Sequence, residues 1–346
     1  MELTKLQYNI INSNAPKIAI EACAASLKTS TLTEKVRKLL RDGVFPNSIA
    51  VITFTRMAAA ELVDRLGEDY KSGLFVGTIH SLAARILNVR GYGSEVDKIA
   101  EQEDFDKLFD LCSQFNIQRL YDWILVDECQ DTGINELKFI FEMLNPTHYF
   151  VVYDRRQSIY GFKGARPDVL MEYIKDATFF PLNENYRNGY NILNFAKRII
   201  KPTKMEDNSI AMKKGNGAVM EVPFSLQTIK RLILEKGQYS DWAILARVNA
   251  EVDLVINYLK KNNIPCETFK QGDLKRDDLL ERLKNNSVKV LTIHSSKGLS
   301  FENVIVFGTR FTPKEERNVC YVAATRAREN LIWMNQKKQN TKMYKW

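Results

Sequence analysis

No apolar run in this 346-residue chain approaches the length of a membrane span, which needs ~20 residues. The opening residues, Met1-Glu2-Leu3-Thr4-Lys5, lack the basic-then-apolar order of a secretory signal. The five cysteines form no CxxC pair and no Cys/His cluster, and their number is odd. That argues against a disulfide framework or a zinc site, and for free thiols in a reducing compartment. Three histidines leave little scope for an imidazole metal centre. These absences predict a soluble, cytoplasmic protein.

The most informative absence is local. Glu21-Ala22-Cys23-Ala24-Ala25-Ser26-Leu27-Lys28-Thr29 has the frame of a phosphate-binding loop without its glycines. Such a loop reads G-x-x-x-x-G-K-[ST], because its backbone N–H groups must wrap closely around phosphate oxygens. Here Ala22 holds the first glycine position and Leu27 the last, while Lys28 and Thr29 are kept between Ser26 and Ser30. The segment follows a strand-like run, Lys17–Ile20, and opens a helix-like one, Thr31–Leu40. Alone it is a weak match, and its meaning depends on the rest of the chain.

What is present is the composition of a globular protein, 45% hydrophobic and 27% charged, with a net charge of +8 compatible with nucleic acid. The length suits about two domains. Strand-like runs at Lys17–Ile20, Ser48–Thr53, Leu74–Thr78, Trp123–Val126 and Tyr149–Tyr153 alternate with helical segments. Residues 88–121 read as a small helical insertion. A second series, Ala177–Pro181, Trp242–Ala246, Val288–Ile293, Asn303–Phe307 and Leu331–Met334, alternates likewise. This predicts two α/β units with parallel sheets, residues 1–177 and 178–346. Residues 201–219 read as a surface loop and Gln336–Trp346 as a frayed tail.

Two constellations carry chemistry. Ile124-Leu125-Val126-Asp127-Glu128-Cys129-Gln130-Asp131 places carboxylates at the end of a buried strand, the edge of a parallel sheet where ligands bind. Asp127 would hold Mg²⁺, and Glu128 would orient or deprotonate a water. An ordinary acidic turn is the bland alternative. The stretch from Asp154 to Ala165 also follows a strand. Gln157 could sense a terminal phosphate. Tyr160, Phe162 and Lys163 combine rings and a cation in one loop, which suits unpaired bases beside a phosphate. Core packing of the two rings is the alternative. Cys23 and Cys129 read as packing residues, His148 as a surface loop residue, and Arg155-Arg156 as phosphate contacts or a solvated pair.

With these motifs in view, the chain resembles superfamily 1 DNA helicases of the UvrD/Rep/PcrA group, over nearly its whole length and in the family's motif order. The resemblance implies two RecA-like domains with a nucleotide cleft between them and reduced insertion domains. Gln7 resembles the adenine-reading glutamine. Ala25, Ser26, Leu27, Lys28, Thr29 and Ser30 form the phosphate loop, with Thr29 and Asp127 on Mg²⁺. Phe54, Thr55 and Arg56 resemble the first DNA-contact motif, and Thr78 and His80 the next. Gln157 to Ala165 matches the motif that couples the γ-phosphate to DNA. Tyr186 would stack on adenine and Arg187 would reach the γ-phosphate. Thr292 and His294 belong to a motif that contacts DNA, and Arg326 would be an arginine finger. The implied activity is a DNA-dependent ATPase and helicase using ATP and Mg²⁺, moving 3′ to 5′ on single-stranded DNA or a single/double-strand junction. Repair and replication both fit it, and a protein partner could supply unwinding or loading.

Several positions depart from the pattern: Ala25 and Leu27 replace glycines, Arg56 and Met57 stand where the family usually has Asn and Lys, Tyr153 where it usually has Gly, and Ser300 where it usually has a ribose-contacting Glu. A branched side chain at positive φ is an outlier, so Leu27 is expected to crowd the phosphate, weaken ATP binding or force an altered loop. Two readings stay open: a working motor, and an ATPase-impaired DNA-binding or scaffold protein. The retained set Lys28, Thr29, Asp127, Glu128, Gln157, Arg187 and Arg326 favours the first.

Overall fold

Strands and helices alternate because apolar runs of strand length alternate with segments of helical period. A computed structural model describes residues 3–71, 73–235, 238–269, 276–307 and 316–335; the expected tail Gln336–Trp346 lies outside them. The chain divides into two compact units, one of Met1–Ala22 with Ser26–Leu182, the other of Cys23–Ala25 with Asn183–Trp346.

The first unit has six strands, β1 (Lys17–Ala22), β2 (Ile49–Thr53), β3 (Phe75–Thr78), β4 (Trp123–Val126), β5 (His148–Tyr153) and β6 (Thr178–Leu182). All pairings are parallel, in the order β3-β2-β4-β5-β1-β6. Its helices are α1 (Lys5–Ile11), α2 (Lys28–Arg41), α3 (Arg56–Leu66), α4 (Ile79–Val89), α5 (Gly93–Gln102), α6 (Asp106–Cys112), α7 (Ile134–Lys138) and α8 (Pro167–Ile174). Neighbouring residues of one strand enter two different cores. Ile18, Ile20, Val51 and Phe150 pack with Ile10 of α1, Leu32 and Val36 of α2, and Leu62 of α3. Ala19, Ile52, Ile124 and Val151 pack with Leu82, Ile86, Leu108, Leu137 and Leu170 of α4 and α6–α8. This is the period of two of a strand covered on both faces, and it explains why these strands read as unbroken apolar runs. Helices α5 and α6 occupy the segment 88–121, with Val96, Ile99 and Phe109 buried.

The strand expected at Ala177–Pro181 is β6, but its position differs from the expectation. It pairs with β1, from Ile18↔Thr178 to Ala22↔Leu182, and so completes the first sheet. By compactness the first unit extends to Leu182.

In the second unit β7 (Glu184–Asn185) and β8 (Ile210–Ala211) form a short parallel pair. The main sheet contains β9 (Ala218–Pro223), β10 (Trp242–Ala246), β11 (Cys266–Glu267), β12 (Val288–Thr292), β13 (Phe301–Phe307) and β14 (Ala327–Asn335), in the order β11-β12-β10-β13-β14-β9. Its pairings are also parallel. Helices α9 (Tyr190–Ile200), α10 (Leu226–Glu235), α11 (Asn249–Lys261), α12 (Arg276–Lys284) and α13 (Arg317–Ala324) complete it. One core joins Ile229 and Ile233 of α10, and Val255 and Leu259 of α11, to Ile244, Val290 and Ile305 of the sheet. The segment expected as a loop at 201–219 contains β8 and the start of β9. Each unit has the all-parallel sheet of a RecA-like domain. Among the described residues no helix is long and apolar enough to cross a membrane.

Candidate active site

Strands β4, β5 and β1 are neighbours, so their C-terminal ends bring three loops to one edge of the first sheet. The loop after β1 turns through two left-handed residues. Ala25 has φ 55° and Leu27 φ 62°, both in the left-handed region. An L-residue there costs roughly 1–2 kcal/mol, a strain that is common at functional sites. Leu27 is the N-cap of α2 and offers no side-chain hydrogen bond to the helix. The first-turn N–H groups of α2 therefore have no side-chain cap, which suits an anion. Ser26 is buried, and Ser30 Oγ accepts from Arg65 Nη1 at 3.1 Å.

Lys28 Nζ lies 2.8 Å from Glu128 Oε1, and the lysine is buried. Charge and hydrogen bonding to Glu128 both favour the ammonium. Burial works against this ammonium, but Glu128, Asp154 and Asp127 outweigh it and hold its pKa above the ordinary value. Thr29 Oγ1 donates to Asp127 Oδ2 at 2.8 Å. Burial first, then the charge of Glu128, push the Asp127 carboxyl up to about 6, against the pull of Lys28. Glu128 itself sits at φ 53°, and its N–H donates to Asp127 Oδ1 at 2.9 Å.

This donor set fits Mg²⁺. A hydroxyl and a carboxylate are hard oxygen ligands, and the carboxylate is buried beside a second one, Glu128, with Lys28 as the nearby cation. The described residues contain no cluster of three or more His, Cys, Asp or Glu able to hold a metal. Mg²⁺ usually keeps waters and uses one or two carboxylates together with substrate phosphates.

Gln130 ties this edge together. It is fully buried, and its Nε2 donates to Glu128 Oε2. Its Oε1 accepts from Asp154 N at 2.8 Å, and its carbonyl accepts from Ser158 Oγ at 3.1 Å. Asp154, also fully buried, accepts from Gln157 Nε2 at 2.7 Å and from Arg156 Nε at 2.7 Å. Arg156 Nη2 donates to Ala22 O at 2.8 Å, and Arg155 Nη2 to Glu21 Oε1 at 3.2 Å. The arginine pair thus links the ends of β5 and β1, with Arg156 buried and Arg155 partly exposed.

Beside this network Tyr160 stacks on Phe54, with ring centroids 4.9 Å apart, and Phe162 lies 6.1 Å from Tyr160. Lys163 Nζ is 5.6 Å from the centre of the Tyr160 ring. Phe162 is 72% exposed, so the core-packing alternative fails for it. Arg56 is also exposed. Thr55 and Thr78 cap α3 and α4, accepting from Ala58 N and Ser81 N. His80 packs on Phe105 and Phe109, each at 5.3 Å, with Nε2 3.6 Å from Glu136 Oε1. Burial lowers its pKa despite the nearby Glu136 and Asp106. The helical insertion therefore receives the imidazole.

Gln7 is buried, and both ends of its amide are engaged. Oε1 accepts from Thr4 N at 3.0 Å, and Nε2 donates to Thr31 Oγ1 at 3.0 Å. It closes the capping box of α1. His148, expected at the surface, is half-buried and stacks on Trp123 at 4.5 Å. Cys23 and Cys129 are buried packing residues, as expected.

In the second unit Tyr186 OH donates to Glu184 Oε2 at 2.9 Å; burial and that carboxylate push the phenol up to about 12. Arg187 Nη1 donates to Thr325 O at 3.1 Å. Arg326 is buried, and donates from Nε to Val322 O at 3.0 Å and from Nη1 to Leu299 O at 3.1 Å. Ser300 Oγ accepts from Arg328 Nη2 at 2.8 Å. Thr292 Oγ1 donates to Ser295 Oγ at 2.9 Å, and His294 is half-buried.

Sequence reasoning missed Gln130, Asp154, Asn185 and Asn188 as organisers. Asn185 Oδ1 accepts from Arg187 N at 3.0 Å and Asn188 N at 2.8 Å. Its Nδ2 donates to Ala24 O at 2.9 Å, within the segment Cys23–Ala25 that groups with this unit. Asn188 Nδ2 reaches Thr325 O and Ala327 O. Local sequence gave a signal for Gln130, which sits between two carboxylates, and for Asp154, which ends a strand, but for neither asparagine.

Comparison with known proteins divides the chain similarly. The family described as UvrD/REP helicase N-terminal domain matches residues 3–115 and 107–178. The family described as UvrD-like helicase C-terminal domain matches residues 180–278 and 269–338. The chain is 26% identical over 363 residues to the ATP-dependent DNA helicase PcrA of Leuconostoc citreum, covering 75% of this chain and 48% of that protein. It is 25% identical over 372 residues to the ATP-dependent DNA helicase Rep of Escherichia coli, covering 77% and 55%. A probable DNA helicase II homolog of Mycoplasma capricolum is 26% identical over 367 residues, covering 75% and 50%. The chain spans about half the length of the curated relatives it matches.

Proposed function

The chain belongs to the UvrD/Rep helicase family, and from that premise we propose that it hydrolyses ATP to move along single-stranded DNA. The observation that carries this reading is the convergence of Lys28, Thr29, Asp127 and Glu128 at one sheet edge, in two contacts of 2.8 Å each. Lys28 would exchange its carboxylate partner for phosphate oxygens, and the uncapped start of α2 would bind the same anion. Thr29 and Asp127 would hold Mg²⁺, which neutralises charge on the phosphates. Glu128, released from Lys28, would take the proton of the attacking water. Gln157, Arg187 and Arg326 are assigned to the γ-phosphate, Tyr186 to the adenine face, and Ser300 to the ribose side. Phe54, Tyr160, Phe162 and Lys163 offer rings and a cation to unpaired bases. Thr292 and His294 are the DNA-side candidates of the second unit. The family resemblance supports movement from 3′ to 5′, with a partner supplying the wedge for long duplexes.

The other reading, DNA binding without turnover, rests on the side chains at Ala25 and Leu27. Retention of the left-handed backbone at both positions favours turnover. The test is ATP hydrolysis by the purified chain with and without single-stranded DNA, beside Lys28→Ala. DNA-stimulated turnover that the substitution abolishes is expected. DNA binding with no turnover in the unaltered chain would establish the other reading.

A further inference from the structure

Gln130 occupies a position that the proposed chemistry does not by itself explain. It is fully buried among Glu128, Asp131 and Asp154. Its amide orientation is fixed by its neighbours. Asp154 N–H can only donate, so Oε1 faces it, and the opposite NH₂ must then face the Glu128 carboxylate. Glu128 is held in a left-handed backbone conformation at φ 53°, a state that persists only where surrounding contacts enforce it.

The same residue reaches the aromatic loop by two routes. Its Oε1 takes the Asp154 N–H, and the Asp154 carboxylate takes the Gln157 amide. Its own carbonyl takes the Ser158 hydroxyl, two residues before Tyr160. Any shift of the Gln157–Phe162 segment is therefore conveyed to the donor that sets the Glu128 carboxylate. The hydrogen bonds run from Glu128 through Gln130 to Gln157 and Ser158, and the covalent chain of the loop carries on from there to Tyr160 and Phe162.

We propose that Gln130 is a positioning residue that orients Glu128 and couples the base's position to occupancy of the Phe54–Tyr160–Phe162 surface. The inference rests on the ATPase reading above. It predicts that nucleotide and DNA binding persist without Gln130 while their coupling through turnover is lost.

Two variants of the full chain separate the possibilities. Gln130→Glu keeps an acceptor for Asp154 N but sets a carboxylate against Glu128. Gln130→Met keeps the length and removes both bonds. The measurements are ATP turnover with and without oligo-dT, equilibrium binding of a fluorescent ATP analogue and of labelled oligo-dT, and thermal melting. In both variants kcat should fall about tenfold or more, the scale at which a misplaced base acts. The ratio of DNA-stimulated to basal turnover should fall toward one, while both binding constants stay within about twofold. Unchanged kcat and stimulation in Gln130→Glu would overturn the inference. So would a fall in kcat matched by equal losses of binding and melting temperature in both variants, since that is a purely structural role. Failure of the underlying reading shows elsewhere, in an unaltered chain whose turnover is absent or survives Lys28→Ala, and the positioning role would fall with it.

Discussion

In the first unit Lys28, Asp127, Glu128, Asp154 and Arg156 interact side chain to side chain, whereas in the second Arg187 and Arg326 donate to the backbone carbonyls of Thr325, Val322 and Leu299. Carboxylate partners titrate and can be exchanged for another anion. Carbonyl partners are neutral and fixed by the fold. The first edge should therefore answer to pH and to substrate.

The largest effect should come from breaking the second edge. Arg326→Ala should lower turnover by about 10³–10⁵, the scale of an arginine finger. It also removes the donor from two carbonyls, so melting should fall too. Arg326→Lys keeps the charge but loses the planar fork, and should recover little. If kcat in Arg326→Ala stays within tenfold of the unaltered chain, the finger assignment is wrong.

Next comes Glu128→Gln at the first edge. Turnover should drop by about 10²–10⁴ with nucleotide binding kept. A matched loss of binding would mean that Glu128 holds the site together and does not serve as its base.

A smaller and more diagnostic effect is the pH response of Asp127. Without metal its carboxyl is raised to about 6, so Mg²⁺ competes with a proton there and its binding should weaken as pH falls through that value. The sign for stability is the reverse. A raised carboxyl costs the folded state most above about pH 6, and the cost fades as pH falls toward the ordinary value of 3.8. Asp127→Asn should thus melt higher than the unaltered chain at pH 8, with the gap closing on acidification, while losing turnover. A pH-independent gap would show that the burial of Asp127 is compensated in a way the charge pairing does not suggest.

The smallest effect belongs to the strained turn. Ala25→Gly removes a left-handed penalty of roughly 1–2 kcal/mol and adds the entropic cost of glycine, roughly 0.5–1 kcal/mol. The net gain should be about 0.5–1 kcal/mol in urea unfolding. A loss of stability would mean that the Ala25 methyl makes contacts worth more than the strain.

Much of this was legible in the chain. Strands such as Ile49–Thr53, Trp123–Val126 and Trp242–Ala246 announce themselves as apolar runs because both faces are covered. The half-exposed edge strand Ala218–Pro223 does not, since one side needs no apolar residues and its terminal proline reads as a breaker. Thr178–Leu182 was readable as a strand, but its sheet was not: only the register with Lys17–Ala22 assigns it. The capping of α1 was present as T-x-x-Q at Thr4 and Gln7 and was outweighed by the resemblance. The backbone at Leu27 ran against the rule for branched residues, because the surrounding fold sets the turn. Asn185 and Asn188 act through backbone groups distant in sequence, which no local pattern encodes.

The place of β1 in its sheet also bears on how the protein is made. Lys17 pairs with Tyr149 and Ile18 with Thr178, so both neighbours of this strand lie more than a hundred residues downstream. At about 5–20 residues per second of synthesis, the strand waits roughly 10–30 s before either edge can be paired. During that interval Ile18 and Ile20, which end up fully buried, are available to chaperones. The nascent chain should therefore bind such factors until Leu182 has emerged, and release them in one step once the sheet can close.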